Sequence, residues 1–80
     1  MIRLTFYSRE YCHLCHVMHE QVAALKVEFG FELVVLDVDA DAQLEARYNE
    51  LVPLLMHDEL ELARHRLEPQ ALRAYLAKIR

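Results

Sequence analysis

The sequence is poor in residues that break regular structure, since its 80 residues include one glycine and two prolines. Hydrophobic residues make up 55% of the chain and charged residues 28%. This composition excludes an intrinsically disordered chain and a fibrous repeat, and it predicts a packed core. At this length we expect residues 1–80 to form a single domain.

Basic charge is also scarce, with 9 Lys and Arg against 13 Asp and Glu and a formal net charge of -4. A chain without excess positive charge has no general attraction for phosphate, so we expect no binding of nucleic acid. Long apolar runs are missing too: the aliphatic run at residues 33–36 is short, and Arg3 and Arg9 interrupt the N-terminal segment. We therefore expect no membrane span and no signal peptide.

Cysteine occurs only twice, as Cys12 and Cys15. Two cysteines separated by two residues cannot link distant parts of a small fold, so the pattern excludes a secreted domain held together by disulfides. Reactive thiols fit a reducing compartment better, and we expect a cytoplasmic protein.

The spacing of apolar residues predicts the first three elements. Residues 2–7 alternate between apolar and other side chains, as in a strand that lies against a core. Residues 12–29 change to a helical period. The apolar stripe of this helix is Leu14, Met18, Val22, Leu25 and Phe29. Gly30 stands where a helix C-cap needs positive φ, and the apolar run at residues 31–38 predicts a parallel strand covered on both faces.

The middle of the chain predicts a short helix and a hairpin. Asp39 or Asp41 begins the helix, which ends before Pro53 because the residue preceding a proline is pushed out of helical geometry. Residues 53–56 and 60–63 predict two antiparallel strands, with a turn that contains no glycine.

Glu68 and Pro69 predict the start of the last helix, because proline is favoured at the first helical position. Lys78 and Arg80 suit its C-terminal end. Its apolar face is Leu72, Tyr75, Leu76 and Ile79. The order βαβαββα, with a parallel first pair and a later hairpin, predicts an α/β fold in which helices cover both faces of a four-stranded mixed sheet.

The two cysteines form a CxxC motif at the junction between the first strand and the first helix, which is the setting of a redox-active pair. At the first turn of a helix, Cys12 faces unpaired backbone N–H groups, which lower the pKa of its thiol from the usual value of about 8.5. Arg9 and His13 add positive charge nearby. We expect Cys12 to attack a disulfide and Cys15, one turn later, to resolve the mixed disulfide.

Three stretches of the chain resemble a known family. YSR at residues 7–9, CHLC at residues 12–15 and Val52-Pro53 before a hairpin are similar to those of a small bacterial glutaredoxin-like protein of the thioredoxin superfamily. The resemblance implies a thioredoxin-like fold. It also implies that Pro53 is a cis-proline beside the active site and that the backbone of Val52 pairs with the bound substrate.

The chain departs from typical glutaredoxins in its glutathione-binding residues. The resemblance implies a glycine pair after the last strand, but residues 63–68 read ARHRLE. Arg64 and Arg66 remain as candidates for a bidentate grip on a carboxylate, and Glu68 remains as the acidic residue. We expect no tightly bound cofactor, with glutathione as a candidate co-substrate and with protein or small-molecule disulfides, or a reductase, as partners.

Other interpretations use the same residues. Cys12 and His16 are four residues apart, as are Cys15 and His19, and two sulfurs with two imidazoles suit zinc or copper. A single helix rarely closes a tetrahedral site, so we expect no metal. The string CxxCH is also typical of covalent haem attachment. A thioredoxin-like adaptor that binds a partner strand near Val52 without turnover, and a redox sensor, are further alternatives.

Overall fold

The computed structural model of the protein describes residues 1–79. Arg80, predicted to suit the end of the last helix, lies outside the described residues. The elements are β1 (Arg3–Ser8), α1 (His13–Phe29), β2 (Glu32–Asp37), a 3₁₀ turn (Val38–Ala40), α2 (Ala42–Tyr48), β3 (Leu54–His57), β4 (Leu60–Arg64) and α3 (Pro69–Ile79). The predicted order βαβαββα is therefore confirmed. No helix in residues 1–79 combines the length and the apolar character that crossing a membrane requires.

The four strands form one mixed sheet in the order β2-β1-β3-β4. β1 runs parallel to β2, from the pair Arg3 and Glu32 to the pair Ser8 and Asp37, while β1 with β3 and β3 with β4 are antiparallel. The carboxyl ends of β1 and β2 therefore lie at the same end of the sheet. At this end the chain passes from β1 directly into the CxxC motif.

The prediction that the second strand is covered on both faces was wrong. None of the six residues of β2 is buried, and Val35 is 49% exposed. Val38 leaves the strand and is buried in the 3₁₀ turn. An apolar run is equally compatible with a central strand and with an edge strand, so the sequence of β2 could not decide its position in the sheet.

Helices cover both faces of the sheet, as predicted. Leu4 and Phe6 of β1 point into the core, against side chains from α1 and α3. Members of this core include Met18, Val22, Leu25, Leu55, Leu72 and Leu76. Tyr7 points to the opposite face and stacks on Tyr48 of α2, with 4.0 Å between ring centroids. Because side chains alternate along a strand, α2 lies across the sheet from α1 and α3.

Helix α1 buries a slightly different stripe from the predicted one. Cys15 is 1% exposed and belongs to the buried face, whereas Leu14 is 45% exposed. At about 100° per residue, Cys15 and Leu14 lie about equally far from the middle of the stripe that holds Met18, Val22 and Leu25, on opposite sides of it, so the helical period alone does not decide which of the two is buried. The predicted end of the helix is confirmed, since Gly30 has φ 75° and its N–H donates to the Lys26 carbonyl at 2.8 Å.

Local capping explains the shorter elements. Asp41, one of the two predicted start residues, caps α2 by accepting from Gln43 N at 2.7 Å and Leu44 N at 3.3 Å. Asp58 has φ 54° and takes the left-handed conformation that the hairpin turn needs without a glycine. Pro69 is the first residue of α3, as predicted.

Candidate active site

Cys12 and Cys15 lie where β1 passes into α1 and are joined by a disulfide, with 5.1 Å between their Cα atoms. Cys12 is the N-cap of α1 and has an extended backbone, while Cys15 lies in the first turn. The two cysteines differ in exposure, because Cys12 is half-buried and Cys15 is 1% exposed. Cys12 is therefore the more accessible of the two cysteines.

The Cys12 sulfur also occupies the position of a capping atom. Cys15 N donates to Cys12 Sγ at 3.1 Å, and His16 N donates to the Cys12 carbonyl at 3.1 Å. Backbone N–H groups in the first turn of a helix have no partner within the helix and carry its positive dipole. An arrangement of this kind favours a negative charge on a sulfur at the N-cap, so stabilisation of the Cys12 thiolate stays a prediction.

The guanidinium of Arg9 forms hydrogen bonds with side chains other than those of the two cysteines. Its Nη2 donates to Asp39 Oδ1 at 2.9 Å and to Asn49 Oδ1 at 2.6 Å. These bonds tie the segment before Cys12 to the 3₁₀ turn and to the end of α2. The Nε atom of Arg9 is buried without a hydrogen-bond partner. An influence of Arg9 on the Cys12 thiolate stays a prediction, and the structure adds an anchoring role.

His13, Val52 and Pro53 are found at the same end of the sheet. His13 is the exposed first residue of α1. The Val52–Pro53 peptide bond is cis, as the resemblance implied, and the Pro53 carbonyl accepts from His65 N at 2.7 Å. The next residue of the chain begins β3, and its pairing with Tyr7 brings this loop to the end of β1.

The three residues predicted to bind glutathione differ in their surroundings. Arg64 is already engaged, because its Nη2 contacts Glu61 Oε1 at 2.7 Å. Glu68 is exposed, and its carbonyl accepts from Leu72 N at the start of α3. In residues 1–79, Arg66 is the one arginine with neither an ion pair nor an aromatic ring against its guanidinium.

Two clefts flank the first turns of α1. One has a volume of about 460 Å³, and we call it the histidine cleft. It is lined by Phe6, Ser8, Arg9, Glu10, Cys15, His16, His19, Glu20 and Asp37. The other has a volume of about 250 Å³, and we call it the apolar cleft. It is lined by Leu14, Val17, Met18, Gln21, His65, Arg66 and Leu67. The two clefts lie on opposite flanks of the same helix.

Sequence reasoning missed two members of this site. Asp37 enters the histidine cleft because the parallel register sets it opposite Ser8 at the carboxyl end of β1. The sequence predicted that the first two strands are parallel. Aligning their carboxyl ends would have placed Asp37 beside Ser8, and this was the signal that could have identified Asp37. His19 enters the cleft because it lies one turn after Cys15 on the same side of α1. That spacing was read only as a metal pattern.

Tyr7 belongs to a second cluster behind the motif. Its ring stacks on Tyr48, and Arg47 lies with its guanidinium 5.2 Å from the centroid of that ring. The hydrogen bond to Tyr48, followed by burial, raises the pKa of Tyr7 to about 12. Tyr7 therefore stays neutral at physiological pH and acts as a packing residue of the α2 interface.

The described part of the chain contains no cluster of side chains that is suited to a metal ion. No three His, Cys, Asp or Glu side chains of residues 1–79 are grouped as a metal ion requires. The sulfurs of Cys12 and Cys15 bond to each other instead.

Comparison with known proteins identifies the family. Residues 3–77 match the family described as Glutaredoxin-like domain (DUF836). An uncharacterized protein of Mycobacterium tuberculosis is 30% identical over 76 residues, which cover 89% of this chain and 78% of the relative. An uncharacterized protein of Mycobacterium bovis gives the same values.

Solved structures agree with this assignment. A protein from Nitrosomonas europaea, solved by solution NMR, is 34% identical with a TM-score of 0.73, and the match covers 92% of this chain and 89% of that one. A protein from X. campestris is 31% identical with a TM-score of 0.74, covering 94% and 96%. Thioredoxin 1 from Thermosipho africanus, at 17% identity, a TM-score of 0.67 and 98% coverage of both chains, shares the fold. With a match over nearly its whole length and a CxxC pair at the N-terminus of α1, the chain belongs to the glutaredoxin-like domain family of the thioredoxin fold.

Proposed function

We propose that the protein is a thiol-disulfide oxidoreductase in which Cys12 is the nucleophile and Cys15 is the resolving thiol. The contrast between the two sulfurs carries this proposal. Cys12 is partly exposed and its Sγ accepts a backbone N–H at the start of a 17-residue helix, whereas Cys15 is buried. A nucleophilic thiolate needs the first environment, and a thiol reserved for an internal partner suits the second.

The reaction begins when the Cys12 thiolate attacks one sulfur of a substrate disulfide. The substrate S–S bond breaks, a mixed disulfide forms at Cys12, and the other substrate sulfur leaves as a thiolate. Cys15 then attacks Cys12 Sγ, which forms the Cys12–Cys15 bond and releases the second substrate thiolate. Two electrons pass to the substrate, and the protein is left in the disulfide form seen in this structure.

The apolar cleft is the proposed place for the part of the substrate next to its reacting sulfur. Leu14 is 45% exposed and Val17 is 39% exposed, and both line this cleft beside the motif. Exposed aliphatic groups beside a reactive sulfur favour a protein or small-molecule disulfide with some apolar surface. Val52, half-buried in the loop before β3, is the proposed backbone partner of such a substrate.

Glutathione, or a separate reductase, is the proposed source of electrons for the next cycle. Arg66 supports glutathione, because its guanidinium has no acidic partner in residues 1–79 and lies on the apolar cleft. A guanidinium binds a carboxylate through two parallel hydrogen bonds. Glu68, exposed two residues later, is the proposed partner of the glutathione amino group. The cytoplasm, where glutathione is the main thiol buffer, suits this chemistry.

Mass spectrometry after equilibration in glutathione redox buffers tests the proposal. We expect a reversible Cys12–Cys15 disulfide with a potential between roughly -270 and -180 mV, the range of thioredoxins, glutaredoxins and disulfide isomerases. A Cys15→Ser variant should accumulate a mixed disulfide at Cys12, and a Cys12→Ser variant should form none. If the Cys12→Ser variant kept the full cellular function of the protein without forming any mixed disulfide, the protein would be a binding module and not an oxidoreductase.

The use of glutathione has its own test. Arg66→Gln should raise the glutathione concentration needed for half-maximal reduction of the disulfide. Arg64→Gln is the matched control, since the Arg64 guanidinium is already bound to Glu61. Equal behaviour of both variants and the wild type would remove Arg66 from the site and favour a separate reductase.

A further inference from the structure

The burial of Cys15 raises a question that the proposed function leaves open. A thiol must lose its proton before its sulfur attacks Cys12, because the thiolate is the reactive form. Cys15 is 1% exposed, and its own N–H is directed at Cys12 Sγ. Bulk water therefore has little contact with this thiol, and the proton has to leave through a neighbouring group or space.

The histidine cleft supplies that space. Cys15 lines the cleft, whose volume of about 460 Å³ leaves ample room for several water molecules. His19 lines the same cleft and lies four residues after Cys15, which places it about 6 Å along the helix axis and about 40° around it. The His19 ring also contacts the buried ring of Phe6, with 5.8 Å between centroids. This contact places the imidazole beside β1.

We propose that His19 accepts the Cys15 proton during the resolving step, through water in the histidine cleft. This inference rests on the proposed function. The thiol proton passes to the His19 imidazole, and the Cys15 thiolate attacks Cys12 Sγ. The S–S bond to the substrate breaks, and the substrate leaves as a thiolate that takes a proton from solvent. His19 then returns its proton to solvent through the open side of the cleft.

The charged groups around the cleft are compatible with this role. Glu10 comes from the segment before α1, Glu20 from α1 and Asp37 from β2, and all three carboxylates line the same space. The one cationic side chain on the wall, Arg9, directs its Nη2 at Asp39 and Asn49.

His16 is the other imidazole in the cleft, and the helix geometry assigns it a lesser role. It follows Cys15 directly in the sequence, which turns its side chain about 100° away around the helix axis. His19 is closer to the direction of the Cys15 side chain and contacts Phe6. His16→Gln is therefore the matched control for His19→Gln.

A rapid-mixing experiment with a chromogenic aromatic disulfide separates the two steps. Attack by Cys12 on the reagent releases one coloured thiolate, and attack by Cys15 on the mixed disulfide releases a second. We expect His19→Gln to leave the first phase unchanged and to slow the second at least tenfold near pH 7, since a positioned acid or base contributes roughly 10²–10⁴-fold. The wild-type rate of the second phase should depend on pH, because the proton acceptor must be free of a proton in order to act. This pH dependence should change in His19→Gln and stay as in the wild type in His16→Gln.

The same experiment distinguishes between two failures, that of the role of His19 and that of the proposed oxidoreductase activity. A second phase of unchanged rate and pH profile in His19→Gln would overturn the role of His19 while leaving the oxidoreductase intact. Absence of the first phase in the wild type would overturn the oxidoreductase itself. Free imidazole should restore the second phase of His19→Ala, because it supplies a proton acceptor. If it did not, and the first phase were normal, a purely structural role for His19 would replace the proposal.

Discussion

Replacing Arg9 by methionine should lower the free energy of unfolding by about 1–2 kcal/mol. The substitution keeps the apolar stem and removes a guanidinium whose Nη2 bonds to Asp39 at 2.9 Å and to Asn49 at 2.6 Å. The ion pair is partly exposed, at 26% and 40% for the two side chains, which limits its contribution to about 1 kcal/mol. The bond to Asn49 adds about 1 kcal/mol.

One feature of Arg9 reduces this sum. Its Nε is buried without a hydrogen-bond partner, so the native state already bears a desolvation cost that the methionine removes. We therefore expect a value near the lower end of the range. For a domain of this size, each kcal/mol lowers the melting temperature by roughly 4–8 °C.

Urea unfolding of the wild type and of Arg9→Met measures the loss directly, and an unchanged m-value shows that the denatured state is the same. A double-mutant cycle with Asp39→Asn should give a coupling energy of about 0.5–1 kcal/mol, which falls at high salt because the pair is partly exposed. An unfolding free energy equal to that of the wild type would refute the anchoring role. The alkylation rate of Cys12 in the same variant tests separately whether Arg9 stabilises the thiolate.

Three further perturbations have defined outcomes. The folded state holds the phenol proton of Tyr7 more tightly than the unfolded chain does. Neutral Tyr7 therefore stabilises the fold fully below about pH 10, and this contribution is lost as the pH rises through about 12. Ultraviolet titration of Tyr48→Phe should show Tyr7 ionising at lower pH than in the wild type. Tyr75→Phe removes the 2.6 Å bond to His57 Nδ1 and should cost about 1 kcal/mol in urea unfolding, and no change would show that the bond is not net stabilising. Gly30→Ala should also cost about 1 kcal/mol, since φ is 75° while nothing lies within 4 Å of the added methyl group; a neutral result by calorimetry would contradict the left-handed C-cap.

Sequence reasoning succeeded where the deciding chemistry is local. Gly30, Asp41 and Pro69 mark helix ends through their own backbone preference or through a hydrogen bond a few residues away, so their roles could be read from the neighbouring sequence. The CxxC motif at the start of α1 was equally legible, because the position of both cysteines depends on one helix end. These features required no knowledge of the sheet order.

The features that sequence reasoning missed depend on pairings between distant segments. β1 pairs with β2 on one side and with β3 on the other, which leaves β2 at the edge of the sheet. The apolar run of β2 alone does not indicate this position. Arg9 was assigned to the thiolate from its distance along the chain, but its partners Asp39 and Asn49 are 30 and 40 residues away. Asp37 enters the histidine cleft through the parallel register.

The two cysteines also show why one helix end cannot serve both sulfurs. The Cys15 N–H points at the Cys12 sulfur, an arrangement that favours charge on a sulfur at the N-terminus of a helix. Cys15 lies inside the first turn and faces the core, where desolvation disfavours a thiolate. In the proposed mechanism its activation therefore needs a separate group, and the helical period places His19 a turn later, on the flank opposite the apolar cleft. If Cys15 proved to be as reactive as Cys12 in alkylation kinetics of the reduced protein, this division of roles would be wrong, and with it the need for a proton acceptor.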